Sequence, residues 1–342
     1  DSVLKARLYE GKGSSMTFAG KAGPFTDKAA PLEGKAELTL ALADVPPAVR
    51  QQQFGSMLQN GVDKAVVRMA GTVKGDLYRT VTAGGRLMVE GMKVGRDAGH
   101  LLPLDGQARL SATVSKLMST PTTQLQLREG LLKVGAGEWK GTVDLLMVGG
   151  VVRGKSAGSI SKLDINQFLG AFTSAENRMS GQLQMPSYSL RFAGRDADQL
   201  KRSLTGEAKM TVMQGRLKAL DMVASIRRAV ERTGMIEGDQ KDTDFTTLNV
   251  DLALAGGTIT ASGLVVEGPA LAAHGAGTIA ADQALQFKMT TLVRGRVAEL
   301  LGQRKVGTNP AEAAVPIEIG GTVQNPRVTP NVAKMAVSTG LS

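Results

Sequence analysis

Apolar and polar side chains alternate along most of this chain, in runs of strand length that glycine interrupts. Between residues 35 and 42 every even position is alanine or leucine, while Lys35, Glu37 and Thr39 occupy odd positions. The same period of two recurs at 249–254 and 285–293. A period of two is the pattern of strands with one apolar and one wet face, so these runs predict an antiparallel sheet.

Glycine-containing pairs separate the runs and predict tight hairpin connections. The pairs are Gly84-Gly85, Asp105-Gly106, Gly149-Gly150, Gly256-Gly257 and Gly320-Gly321. A chain of consecutive hairpins is a meander. We therefore expect a mainly β fold, a long and twisted antiparallel meander curled into a groove, with a few short peripheral helices.

Helical spacing of apolar residues predicts those few helices, at 48–58, 163–171, 217–233 and 294–301. The helix at 217–233 carries Arg227, Arg228 and Arg232 opposite its apolar stripe. Such a helix fits either a membrane surface or the end of a sheet. We favour the second interpretation, because an amphipathic stripe usually faces a protein core.

The composition excludes several classes of catalytic and metal-binding site. The chain has 342 residues with no cysteine, two histidines (His100 and His274) and 4% aromatic residues. Thiolate metal sites, disulfides and cysteine nucleophiles are thereby excluded. No nucleophile elbow, P-loop or calcium loop is present, so we predict no enzyme, no cofactor and no metal site. Gly275, Gly277 and Ala280 loosely match a dinucleotide fingerprint but lack the required helix after them.

The formal net charge is +10, with the basic residues scattered among acidic ones. The simplest interpretation is a solvated face, and the alternative is attraction to anionic lipid headgroups. No nucleic-acid-binding motif is visible, so we expect no nucleic-acid partner. No run reaches the ~20 apolar residues that span a bilayer.

The apolar face of such a sheet must be covered. Four short helices are few for so many strands, which leaves a sandwich or a curled sheet whose apolar face lines a groove. A groove of small and aliphatic side chains would accept acyl chains, since each buried methylene contributes about 0.8 kcal/mol. Our candidates for the groove lining are apolar positions of the alternating runs: Met210, Val212, Val250, Leu252, Leu254, Leu285, Phe287, Met289 and Val293.

Residues 203–330 contain short motifs in a fixed order. Ser203-Leu204-Thr205-Gly206 is followed by Thr243-x-Phe245-x-x-Leu248, and Gly275-x-Gly277 precedes Thr278-Ile279. The closing stretch has Val315-Pro316-Ile317, Ile319-Gly320-Gly321-Thr322 and Asn325-Pro326. In this order the motifs resemble the C-terminal region of the AsmA family. The likeness extends more loosely to 163–206. Residues 1–160 fit only through their general meander character.

The resemblance implies a Gram-negative envelope protein in the periplasm, anchored in the inner membrane by a helix that this chain lacks. Larger relatives carry phospholipids along a β-groove between inner and outer membrane, which supports outer-membrane homeostasis. Partners would be phospholipids, the inner membrane and other envelope proteins. Asp1 begins in strand-like sequence, so we expect a fragment or processed product. We predict two segments, 1–160 and 161–342, continuous in one sheet.

Two other function classes remain open. One is a structural or assembly factor for outer-membrane proteins that offers a sheet edge to client strands. The other is a surface adhesin built as a β-sandwich. A long unpaired edge would favour the assembly factor, and two facing sheets would favour the adhesin.

Overall fold

A computed structural model describes residues 3–10, 12–26, 28–45, 64–116, 121–173, 175–218, 220, 222–231, 242–300 and 311–331. The chain forms two compact units, and each unit is built from several separate stretches of the chain. The first unit comprises 1–163, 170–173 and 187–205. The second comprises 164–169, 174–186 and 206–342.

The first unit is a meander in which each strand pairs antiparallel with the next along the chain. Its strands are β1 (Val3–Glu10), β2 (Ser15–Ala22), β3 (Pro31–Ala41), β4 (Val66–Asp76), β5 (Thr80–Val94), β6 (Leu102–Ser115), β7 (Thr122–Val134), β8 (Gly137–Val148) and β9 (Val151–Asp164). A 3-10 turn, Leu42–Asp44, follows β3.

The second unit is also an antiparallel meander. Its strands are β11 (Thr205–Leu217), β12 (Thr243–Ala255), β13 (Thr258–Glu267), β14 (Leu271–Ile279), β15 (Leu285–Arg294), β16 (Glu312–Gly321) and β17 (Pro326–Pro330). Strand β10 (Met179–Gly194) contributes residues 179–186 to this unit and 187–194 to the first. The predicted fold class, a mainly β antiparallel meander with a few short helices, is confirmed.

Four short helices interrupt the strands in the part of the chain that the structure describes: α1 (Ile165–Phe172), α2 (Ala197–Ser203), α3 (Met222–Glu231) and α4 (Arg296–Leu300). Three match predicted helices, and α2 was missed. The helix predicted at 48–58 lies outside the described residues. Helix α1 begins where Asp164 Oδ1 accepts the backbone N–H groups of Asn166 and Gln167 at 2.8 and 3.0 Å, the usual chemistry of an N-cap.

Two predicted turns are wrong. Gly84 and Gly85 lie inside β5, and Gly106 lies inside β6. A Cβ atom on Gly85 would lie 2.2 Å from the carbonyl oxygen of Ala70 on the neighbouring strand. Glycine is therefore used here for close approach of two strands. By contrast, Gly149, Gly150, Gly256 and Gly257 all have positive φ and do form turns, as left-handed backbone requires.

A buried threonine joins helix α3 to the sheet of the second unit. The hydroxyl of Thr243, at the start of β12, accepts the Met222 N–H at 3.1 Å and donates to the Leu220 carbonyl. Thr243 is 4% exposed. Because both bonded backbone groups belong to the segment that opens α3, this hydroxyl fixes where the helix begins.

We predict opposite effects for the same substitution at two buried threonines. Thr243→Val leaves a buried N–H and carbonyl without their partner and should lower the free energy of unfolding by about 1–3 kcal/mol. Thr291 is fully buried, and its hydroxyl has no hydrogen-bond partner among the described residues. Thr291→Val should therefore raise stability by about 1 kcal/mol.

Urea unfolding followed by circular dichroism measures both changes. The exposed Thr246 on β12 supplies the control, because Thr246→Val removes a hydroxyl from a solvated position and should change stability by less than about 0.5 kcal/mol. Equal effects of the three substitutions would contradict the assigned roles.

Candidate functional site

The register of the second unit gathers its apolar positions on one face. Residues directly opposite each other in an antiparallel pair point to the same side of the sheet. Leu254, Ile259, Ile279 and Leu285 form one such row across β12–β15. The next row runs through Ala208, Leu252, Ala261, Gly277, Phe287 and Ile319. We call this surface the apolar face of the second unit.

One end of the apolar face is closed. Helix α3 packs against β17 and α4, and α4 packs against β15 and β16. Ile226 and Ala298 on these helices are fully buried, as are Val212 and Val315 on the strands. Helix α3, the described part of the helix predicted at 217–233, thus packs on the sheet.

The other end of the face is half-buried. All members of the row Leu254–Ile259–Ile279–Leu285 keep part of their surface accessible, as do Met210, Leu252 and Phe287. We call these seven residues the open end. None is charged, so the open end is a continuous apolar surface formed by five strands, β11 to β15.

The nine groove candidates divide between the two ends. Val212, Val250, Met289 and Val293 are at most 6% exposed and belong to closed packing. Met210, Leu252, Leu254, Leu285 and Phe287 belong to the open end. Five of the nine predicted lining residues therefore remain candidates. The structure adds Ile259 and Ile279, the cross-strand neighbours of Leu254 and Leu285, which the sequence pattern did not identify.

Glycines on adjacent strands make room for the aromatic rings of this face. A Cβ on Gly277 would lie 2.4 Å from the ring of Phe287, its direct partner on β15. A Cβ on Gly215 would lie 2.2 Å from the ring of Phe245, also its direct partner. Each ring lies over a glycine backbone and covers it, an arrangement that stabilises glycine within strands.

The first unit has an apolar face of its own. Val73, Ala83, Ala112, Leu125 and Leu145 form a row across five strands, β4 to β8, and all are half-buried. No sequence candidate fell in this unit. The alternation is present in β5, at Val81, Ala83, Leu87 and Val89, but the pair Gly84-Gly85 at its centre resembles a turn in sequence.

Polar atoms on the apolar face of the first unit bond to one another. Trp139 Nε1 donates to the hydroxyl of Tyr188 at 2.5 Å, and Ser156 Oγ lies 2.8 Å from the same hydroxyl. The Trp139 ring also covers Gly130 and Gly141. Trp and Tyr side chains usually pair their polar atoms when they leave water, and here both side chains are half-buried.

The opposite faces of both units are polar. Cross-strand ion pairs lie there, including Arg216 Nε with Asp244 Oδ1 at 2.5 Å and Arg294 Nε with Glu312 Oε1 at 3.0 Å. Hydrogen bonding to Asp244 raises the pKa of Arg216 above its ordinary value. These pairs stabilise the sheet only modestly, because they are solvated.

The two histidines lie in different units. His274 is exposed on β14 between Val265 and Thr290, on the polar face. His100 lies in the turn after β5, where its Nδ1 is 2.6 Å from Asp97 Oδ1. This hydrogen bond lowers the pKa of Asp97. Among the described residues no cluster of His, Cys, Asp or Glu could hold a metal ion.

The loose dinucleotide fingerprint at Gly275 and Gly277 lies within strand β14. A phosphate-binding turn needs a helix directly after the glycines, and here β15 follows instead. No helix within the described ranges is long and apolar enough to cross a membrane.

Comparison with protein-family models, with curated proteins and with solved structures gave no match for this chain. The two apolar faces and the short motifs of the sequence are therefore the features from which a function is inferred.

We predict that Gly277→Ala destabilises the second unit by about 1–3 kcal/mol, because the new methyl group displaces the Phe287 ring. Gly320→Ala is the matched control. Its Cβ would meet nothing closer than 3.9 Å, so the free energy of unfolding should stay within about 0.5 kcal/mol of the parent or rise slightly. Urea unfolding of both variants measures the difference. Equal stability of the two would contradict the proposed glycine–aromatic packing.

Proposed function

We propose that this protein binds the acyl chains of phospholipids on its half-buried apolar faces and conducts them between the inner and outer membranes of a Gram-negative envelope. The open end of the second unit is the observation that carries the proposal. Its side chains are aliphatic apart from the ring of Phe287 and the thioether of Met210, and none is charged. The chemistry therefore suits a hydrocarbon ligand.

The energetics favour a ligand that slides. Each methylene removed from water contributes about 0.8 kcal/mol, wherever along an apolar surface it lies. Without a fixed polar partner, neighbouring positions of a chain on the surface have similar energies. The apolar face of the first unit offers the same kind of surface, from Val73 to Leu145, so each unit can hold acyl chains on its own.

The resemblance to the AsmA family supports the location of this role. It implies a periplasmic protein attached to the inner membrane that supports outer-membrane homeostasis. The motif residues Thr243, Phe245 and Leu248 are all buried, at 3–5% exposed. They bear on the packing of a shared fold, while the ligand assignment depends on the open end.

Site-specific photo-crosslinking tests the acyl-chain proposal. Benzoylphenylalanine is introduced at Leu254 or Phe287, and the protein is incubated with phosphatidylethanolamine–phosphatidylglycerol vesicles before illumination. We expect phospholipid adducts by mass spectrometry at both positions.

The controls use the neighbouring positions on the polar face of the same strands, Ala253 and Lys288, which are exposed. These should give only background labelling, because alternate residues of a strand point to opposite faces. Labelling that is equal at all four positions, or absent from all four, would show that the apolar face does not hold lipid.

A further inference from the structure

The polar face of the first unit contains a depression that the acyl-chain function does not use. It lies over β4 to β7 and has a volume of about 520 Å³. Gly84 forms part of its floor, between Thr72 on β4 and Ser111 on β6. A Cβ at Gly84 would meet nothing closer than 3.8 Å. The depression therefore exists because a side chain is missing at the centre of the face.

Three arginines lie side by side along this depression. Arg86, Arg109 and Arg128 occupy directly opposite positions on β5, β6 and β7, and all three line it. Like charges directly opposite each other destabilise a sheet. An arrangement of three is therefore unfavourable unless anions compensate it.

The compensation within the protein is incomplete. Arg109 pairs with Glu129 at 3.3 Å, and Arg128 pairs with Asp144 at 2.6 Å. Arg86 is exposed and has no ion pair or hydrogen bond among the described residues. One guanidinium thus faces the depression with all its donors available.

A β-bulge shapes the edge of the depression. The register of β7 shifts against both β6 and β8 near Arg128 and Gly130. Between them Glu129 has φ of 50°, a left-handed backbone that non-glycine residues seldom adopt. Bulges often redirect side chains beside functional sites. This one places Arg128 and Glu129 together at the rim.

We propose that this depression binds a phosphate-type oxyanion, with Arg86 as its principal ligand and Arg109 beside it. Guanidinium groups match the oxygen geometry of phosphate and can donate two parallel hydrogen bonds to it. The hydroxyl groups of Thr72 and Ser111 supply further donors on either side of Gly84. The phosphate belongs either to a soluble ion or to a lipid headgroup, and both present the same oxygens.

Calorimetric titration with inorganic phosphate at low ionic strength tests the site. Arg86→Gln should weaken binding about tenfold, the effect expected for losing hydrogen bonds to a charged group. The control is Arg153→Gln on β9, which removes the same charge from an exposed residue outside the depression and should change affinity less than about twofold. Gly84→Leu keeps every arginine but fills the floor, and should abolish binding.

Vesicle flotation separates the two sources of phosphate. A headgroup ligand predicts three results together. Vesicles containing phosphatidic acid bind the protein, Arg86→Gln abolishes that binding, and phosphatidylcholine vesicles do not bind. If phosphate binds in the titration but the vesicles do not, the ligand is soluble. The proposal is overturned if neither probe binds, if Arg153→Gln weakens binding as much as Arg86→Gln, or if a folded Gly84→Leu variant binds normally. Failure here leaves the acyl-chain proposal intact, because crosslinking at Leu254 does not involve these arginines.

Discussion

The structure depends on shielding apolar sheet faces from water. The sheet of each unit has one apolar face and one polar face, and only the apolar face needs to be covered. In the second unit, helices α3 and α4 cover one end of that face and produce closed packing around Val212 and Val293. The rows beyond them, from Leu254 to Leu285, remain half-buried. Apolar surface left accessible in a continuous patch usually marks an interaction site. The unequal covering of one face is therefore the basis of the proposed function.

Glycine gives this sheet its particular character. In strand interiors it allows close approach of neighbouring backbones, as between Gly71 and Gly85, or accommodates an aromatic ring, as between Gly277 and Phe287. The rings of Phe287 and Phe245 each cover strand backbone that a glycine leaves bare.

Period-two alternation was sufficient to predict the meander, since each apolar run had only one way to put its side chains on one face. It could not separate turn glycines from strand glycines. Gly149 and Gly84 look alike in sequence, yet only Gly149 has the positive φ of a turn. Nor could alternation show that Val250 is buried while Leu252 is half-buried, because the burial of each residue depends on where α3 and α4 pack. The sheet-edge assembly hypothesis stays a prediction.

The arginine row was beyond sequence reasoning for a related reason. Arg86, Arg109 and Arg128 are far apart along the chain, and only the hairpin registers with the bulge at Glu129 bring them together. A register shifted by one residue would move them to the other face. The two faces of the first unit therefore carry separate chemistries, apolar on one side and, along the arginine row, basic on the other.

Native mass spectrometry of the purified chain tests the central claim, that the apolar faces hold lipid, most directly. The account predicts protein carrying phospholipid masses, which solvent extraction releases and exposure to vesicles restores. A lipid-free mass that persists after incubation with phospholipid vesicles would contradict it.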